Sequence, residues 1–216
     1  MIISDKYKFV FIKTRKVAGS SLEQCIYPYL SKKDVCTGGT WDDNYPTLNY
    51  PYQWQSHLTM NQVYNNCTGD RLHDIRENYF KFTIERNPWD KMVSYYFWYK
   101  KTRPTQLAEQ YGINTFQEFI REIPGSLVSD WGHYHDIKTR EVNVDKIYRF
   151  EDLSPLINKL AELGIDIKDD FANTRCKDYG RPHRDYRGMY KSDGDIIVIQ
   201  KRFRKVIDLL GYEYDG

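Results

Sequence analysis

Two runs of this chain bring cations, small residues and hydroxyls together at a spacing suited to oxyanions. The first is Lys16-Val17-Ala18-Gly19-Ser20-Ser21, inside KFVFIKTRKVAGSSLEQCIY at 8–27. Gly19 lets the backbone approach a ligand closely, Ser20 and Ser21 offer hydroxyl donors, and Lys16 offers a mobile charge. The second is FTIERNPWDKMVSYYFWY at 82–99, with Arg86 at a turn and Ser94 eight residues on. Arginine suits phosphate because its planar fork donates two parallel hydrogen bonds. A base is the remaining requirement for hydroxyl chemistry, and a histidine near neutral pKa is the natural one. His57, His73, His133, His135 and His183 are the candidates, and His57 stands just before a helix start.

These residues need strand ends and helix starts to position them. Residues 8–13 carry Phe9 and Phe11 on one face and Val10 and Ile12 on the other, the pattern of a central strand covered on both sides. A helix is expected from Ser20 to about Tyr27, with Ser20-x-x-Glu23 as a capping box and Pro28 as its stop. Thr59-x-x-Gln62 predicts a second capping box and a short helix to about Asn66. Residues 79–85 read as a strand, and Asn87-Pro88 predicts the cap and first position of a helix to about Lys101. Further helices are expected near 114–122, 154–163 and 194–210, with a strand near 146–150. Residues 36–56 read as a long loop rich in Gly, Pro, Asn and Asp. Strand and helix signals alternate, which predicts an α/β fold with a parallel sheet in a single domain over 1–216.

A strand-to-helix loop presents free N–H groups and the positive end of the helix dipole. Two such loops after two neighbouring strands suggest one ligand with two anionic groups, such as an adenosine phosphorylated at its 5′ and 3′ positions. The standard nucleotide-phosphate spacing GxxxxGK[ST] is missing.

Composition narrows the class. The chain has 216 residues, 40% hydrophobic and 29% charged, which fits a folded globular protein. A net charge of +2 argues against a strongly basic nucleic-acid binder. The four cysteines form no CxxC pair, so neither zinc nor a disulfide framework is expected. No signal peptide or membrane-spanning stretch is visible, so a cytoplasmic location is expected.

On these motifs the chain resembles the sulfotransferase superfamily, in particular small bacterial and phage-type members of its carbohydrate branch. FIKTRKVAGSSLE resembles that branch's 5′-phosphosulfate loop, typically Lys-Thr-Ala-Gly-Thr-Ser. ERNPWDKMVSYY resembles the 3′-phosphate element, and lies about 70 residues further on in the expected order. QSHLTMNQV, KIYRFEDLSPLINKLAELGI and RPHRDYRGMY extend the likeness over most of the chain.

The resemblance implies a P-loop-like three-layer fold, with a central, mainly parallel sheet flanked by helices. It implies 3′-phosphoadenosine 5′-phosphosulfate as donor, with 3′-phosphoadenosine 5′-phosphate as product and no metal. Lys16 and the Val17–Ser21 backbone (Val17, Ala18, Gly19, Ser20, Ser21) would hold the phosphosulfate. Arg86 and Ser94 would hold the 3′-phosphate, and Arg184, Tyr186 and Arg187 would close over the donor. Lys16 and His57 would act in catalysis on a hydroxyl-bearing partner, a glycan or glycoconjugate. Val17 departs from the family's threonine, and Lys91 from its arginine. The competing readings are a non-catalytic module binding the 3′-phosphorylated nucleotide or a glycan, and a variant P-loop kinase.

Overall fold

The computed structural model describes residues 1–37, 56–136, 138–174, 179–181 and 185–214. Along the chain run β1 (Ile2–Ser4), β2 (Phe9–Ile12), α1 (Gly19–Ile26), β3 (Val35–Cys36), α2 (Met60–Asn66), α3 (Gly69–Asn78), β4 (Phe80–Glu85) and α4 (Pro88–Thr102). Then follow α5 (Phe116–Glu122), α6 (Gly125–Val128), α7 (Trp131–Tyr134), β5 (Lys146–Arg149), α8 (Ser154–Glu162), α9 (Lys168–Asn173), α10 (Asp193–Arg202) and α11 (Arg204–Leu210). The chain divides into two compact units, one of Met1–Glu85 with Gly132–Cys176, the other of Arg86–Trp131 with Lys177–Gly216.

The first unit holds the sheet. Among the described residues its five strands lie in the order β3-β1-β2-β4-β5. The pairs β2–β4 and β4–β5 are parallel, while β1 is antiparallel to both β2 and β3. Four strands therefore point one way and only β1 runs against them, the mainly parallel α/β sheet expected from the sequence. Phe9 and Phe11 of β2, Phe82 and Ile84 of β4 and Tyr148 of β5 face a core closed by α1 and α8 through Leu22, Ile26, Leu156 and Leu160. The Phe11 and Phe82 rings stack with centroids 5.2 Å apart. Truncating such a buried ring to alanine typically costs about 3–5 kcal/mol.

The opposite face of β4 carries Lys81, Thr83 and Glu85, all buried and all partnered. The Lys81 ammonium donates to the Arg76 carbonyl of α3 at 3.1 Å. The Thr83 hydroxyl donates to Ile12 O at 2.7 Å, and the Tyr134 hydroxyl donates to the Glu85 carboxylate at 3.0 Å. With α1 and α8 on one face and α3 on the other, the sheet is flanked by helices in three layers.

The second unit is helical, with a core that includes Trp89, Met92 and Tyr96 of α4, Phe116 and Phe119 of α5, and Ile199 of α10. Asn87 caps α4 as its sequence predicts, its side-chain oxygen accepting from Trp89 N at 3.0 Å and Asp90 N at 3.4 Å. Lys91 is buried and pairs with buried Asp130 at 2.7 Å, which makes it a structural cation of this unit.

Two local expectations are corrected. The helix expected over 194–210 is two helices that break at Phe203, whose φ of −109° and ψ of 18° leave the helical region. Ser20 does not cap α1. That helix starts one residue earlier, Ala18 occupies the cap position in a left-handed conformation, and no side-chain cap bond forms there. The Glu23 expected to complete the box is drawn instead to a buried lysine.

Candidate functional site

In the first unit the Lys16–Ser21 run is the loop from β2 into α1. Its base is fixed across the sheet, because the Thr14 hydroxyl donates to Ile84 O of β4. Lys16 and Ala18 have φ of 65° and 55°, whereas Val17 and Gly19 between and after them do not. A non-glycine residue held in this left-handed region costs on the order of 1–3 kcal/mol, and such strain collects at ligand clamps. Alternation of backbone hand turns successive N–H groups toward one concavity, which suits an anion. The first turn of α1 adds the unsatisfied N–H groups and positive dipole end of the helix. Ser20 is half-buried at this end, and Ser21 is buried.

Val17 is 0% exposed and packs in the core with Leu22 and Ile26. Its side chain therefore fills space under the loop.

Lys13, the residue directly after β2, was missed from sequence. It is only 7% exposed, and its ammonium pairs with the buried carboxylate of Glu23 in α1. The Met1 amino group meets the same carboxylate. Burial pushes the Glu23 carboxyl up, but the two cations outweigh burial and hold it below the usual range. On its way to Glu23 the lysine stem crosses Gly19, where a Cβ would lie 2.9 Å from Lys13 Cγ. Gly19 is required by this crossing as well as by its place in the loop. The available signal was a lysine closing an apolar strand six residues before a glycine.

His57 stands three residues before α2, whose capping box forms in full. Thr59 accepts from Gln62 N at 3.1 Å, and Gln62 Oε1 accepts from Thr59 N at 2.8 Å. His57 Nδ1 lies 2.8 Å from the Lys13 carbonyl oxygen. A carbonyl can only accept, so this bond places the ring proton on Nδ1 and makes Nε2 the basic nitrogen. The His133 ring stands edge-on to His57, with centroids 6.5 Å apart. Among the described residues no group of three or more His, Cys, Asp or Glu side chains is arranged to hold a metal.

In the second unit Arg86 lies at the start of α4. Its Nε and Nη2 reach Asp90 Oδ2 at 2.7 and 2.6 Å, so the helix's own carboxylate sets its guanidinium. Arg181, not singled out in the sequence, reaches the other Asp90 oxygen at 2.5 Å. Ser94 is one turn beyond Asp90 on the same face of α4 and is half-buried. Tyr186 packs edge-on to Tyr190 and Tyr214, and Asn87 Nδ2 donates to its hydroxyl at 3.5 Å. Arg187 is exposed and forks onto Asp185, which holds that carboxyl down at about 2. Arg184 and His183 lie outside the described residues, as do residues 38–55 of the expected long loop.

The comparisons with known proteins agree with this frame. The sulfotransferase family model matches residues 1–175, more than half of the chain. The chain belongs to the sulfotransferase family. No curated protein and no solved structure matches it. The matched span includes the Lys16–Ser21 loop, His57, Arg86 and Ser94 and stops short of Tyr186 and Arg187. Family membership makes the chain a transferase of sulfuryl groups with a hydroxyl-bearing acceptor. Among the described residues no helix is long and apolar enough to cross a membrane.

Proposed function

We propose that this protein transfers a sulfuryl group from 3′-phosphoadenosine 5′-phosphosulfate to a hydroxyl of a carbohydrate or similar polar acceptor. The observation that carries this reading is the loop between β2 and α1. Two strained left-handed residues, a helix start, Lys16 and two serines together suit the crowded oxygens of a phosphosulfate. On this reading Lys16 and the Val17–Ser21 backbone hold the 5′ group. Arg86 and Ser94 hold the 3′-phosphate, as the sequence resemblance implies, with Arg86 preset by Asp90. Tyr186 and Arg187, with Arg184, belong to the donor-closing segment by the same resemblance. The whole span 1–216 serves the one activity.

The donor, when bound, supplies a sulfur centre already joined to a good phosphate leaving group. What remains for the chain is positioning and charge. Lys16 neutralises charge on the leaving oxygen, which needs little further acid help. His57 Nε2 takes the acceptor proton as its oxygen attacks in line, because the Lys13 carbonyl keeps the ring proton on Nδ1. The loop N–H groups keep the transferred group from rotating out of line.

The test is a thermal shift of the full chain with 3′-phosphoadenosine 5′-phosphate, AMP and ATP. Preferential stabilisation by the 3′-phosphorylated nucleotide is expected. Equal response to all three would remove the donor assignment. A screen of glycan acceptors with labelled donor then tests the acceptor class.

A further inference from the structure

Lys13 touches both parts of the chemistry that the first unit carries. Its carbonyl receives the Nδ1 proton of His57 at 2.8 Å. Its methylenes lie across Gly19 at a distance that no Cβ would permit, and its ammonium ends on Glu23 inside α1. We propose that Lys13 is a positioning residue for sulfuryl transfer: its buried side chain ties the anion loop to α1 and so fixes the carbonyl that sets the tautomer of His57. The inference rests on the reading of the loop and of His57 given above.

Three features support this role over simple core filling. Lys13 is committed to Glu23 inside the protein, so its ammonium is not offered to a ligand. A buried ion pair gains little net energy over a well-packed apolar pair, so stability alone does not account for a lysine here. What the pair adds is direction, because the ammonium must reach one carboxylate along one path. That path crosses the only glycine between β2 and the second turn of α1, so lysine and loop constrain each other. A carbonyl at the root of the same residue cannot move without moving the stem above it.

The experiment uses the full chain labelled with 15N at histidine, and reads the His57 tautomer by long-range proton–nitrogen correlation across pH. Wild type is expected to hold the neutral proton on Nδ1. Lys13→Met removes the ammonium and keeps the stem. Gly19→Ala adds one methyl against that stem, at a backbone angle alanine accepts, and does not touch His57. Both variants are expected to shift His57 toward the Nε2-protonated form. Both should lower kcat by about a hundredfold, the order expected for an ångström-scale misplacement of reacting groups. If Lys13→Met does not fold, Gly19→Ala decides alone. An unchanged Nδ1 tautomer in the folded variants would overturn the proposal, whatever happens to the rate. The nucleotide thermal shift of wild type is scored separately. Loss of its preference removes the donor assignment, whereas an unmoved tautomer removes only the Lys13 link.

Discussion

Asp90 gives one carboxylate oxygen to Arg86 and the other to Arg181, at 2.6 and 2.5 Å. A carboxylate shared in this way sets two guanidinium groups at once, and all three side chains are largely buried. Arg86 is thus oriented before any ligand arrives, by a residue in the first turn of the helix that follows it.

Asp90→Asn tests that orientation. The neutral amide cannot hold two forks, so Arg86 is expected to sample several directions. Under the proposed function, the preference for 3′-phosphoadenosine 5′-phosphate over AMP should fall by about tenfold, the scale of one charge-assisted hydrogen bond. Calorimetric titration with both nucleotides checks this. Retention of the full preference would show that Asp90 has no part in it.

His57→Ala separates chemistry from binding. Removal of a general base costs roughly 10²- to 10⁴-fold in turnover. Affinity for the 3′-phosphorylated nucleotide should stay within a few-fold, because His57 is not among the proposed donor contacts. In wild type the acid limb of kcat should follow protonation of this ring, and in the variant that limb should disappear. A parallel loss of affinity and rate would argue for a structural histidine.

Glu23→Gln carries a pH prediction with a definite sign. Glu23 is held below its usual pKa in the folded state. Its contribution to stability is therefore complete above the unfolded glutamate value of about 4.3 and is lost as pH falls through the lower folded value. At pH 7 the variant should be less stable by about 3–5 kcal/mol, because Lys13 and the Met1 ammonium are left buried without their shared carboxylate. The two stability curves should converge in acid, which urea titrations between pH 3 and 7, taken as the test range, would measure. Parallel curves would mean that Glu23 does not govern the acid limb.

Lys91→Met should cost a similar amount, about 3–5 kcal/mol, since it strands Asp130 in the core of the second unit. Pairing it with Asp130→Leu should restore most of the loss. A double variant as unstable as the single one would show that packing, rather than the stranded charge, sets the cost.

Much of the frame was legible because it depends on local chemistry. Phe9 to Ile12 are apolar on both faces and form a buried central strand. Asn87-Pro88 and Thr59-x-x-Gln62 each specify a helix start through bonds a few residues long, and both form. What was not legible depends on partners far along the chain. Ser20-x-x-Glu23 has the letters of a capping box, but a lysine ten residues before Glu23 claims the carboxylate. Within α3 only Ile75 is buried, so that helix carries no apolar period to read. β1 has three residues and owes its strand form to pairing with Phe9–Phe11. Arg181 gave no signal because its partner Asp90 is 91 positions away.

The hydroxyl links from Thr14 to Ile84 and from Thr83 to Ile12 join residues 70 and 71 positions apart. Their consequence lies in the order of folding. The left-handed turns at Lys16 and Ala18 are unfavourable alone, and what fixes the loop's base is a strand that arrives some seventy residues later. Closing so long a segment is entropically slow compared with forming α1. On a growing chain, the loop therefore cannot acquire its fixed base before β4 has been made. The clamp appears together with the β2–β4 seam rather than ahead of it.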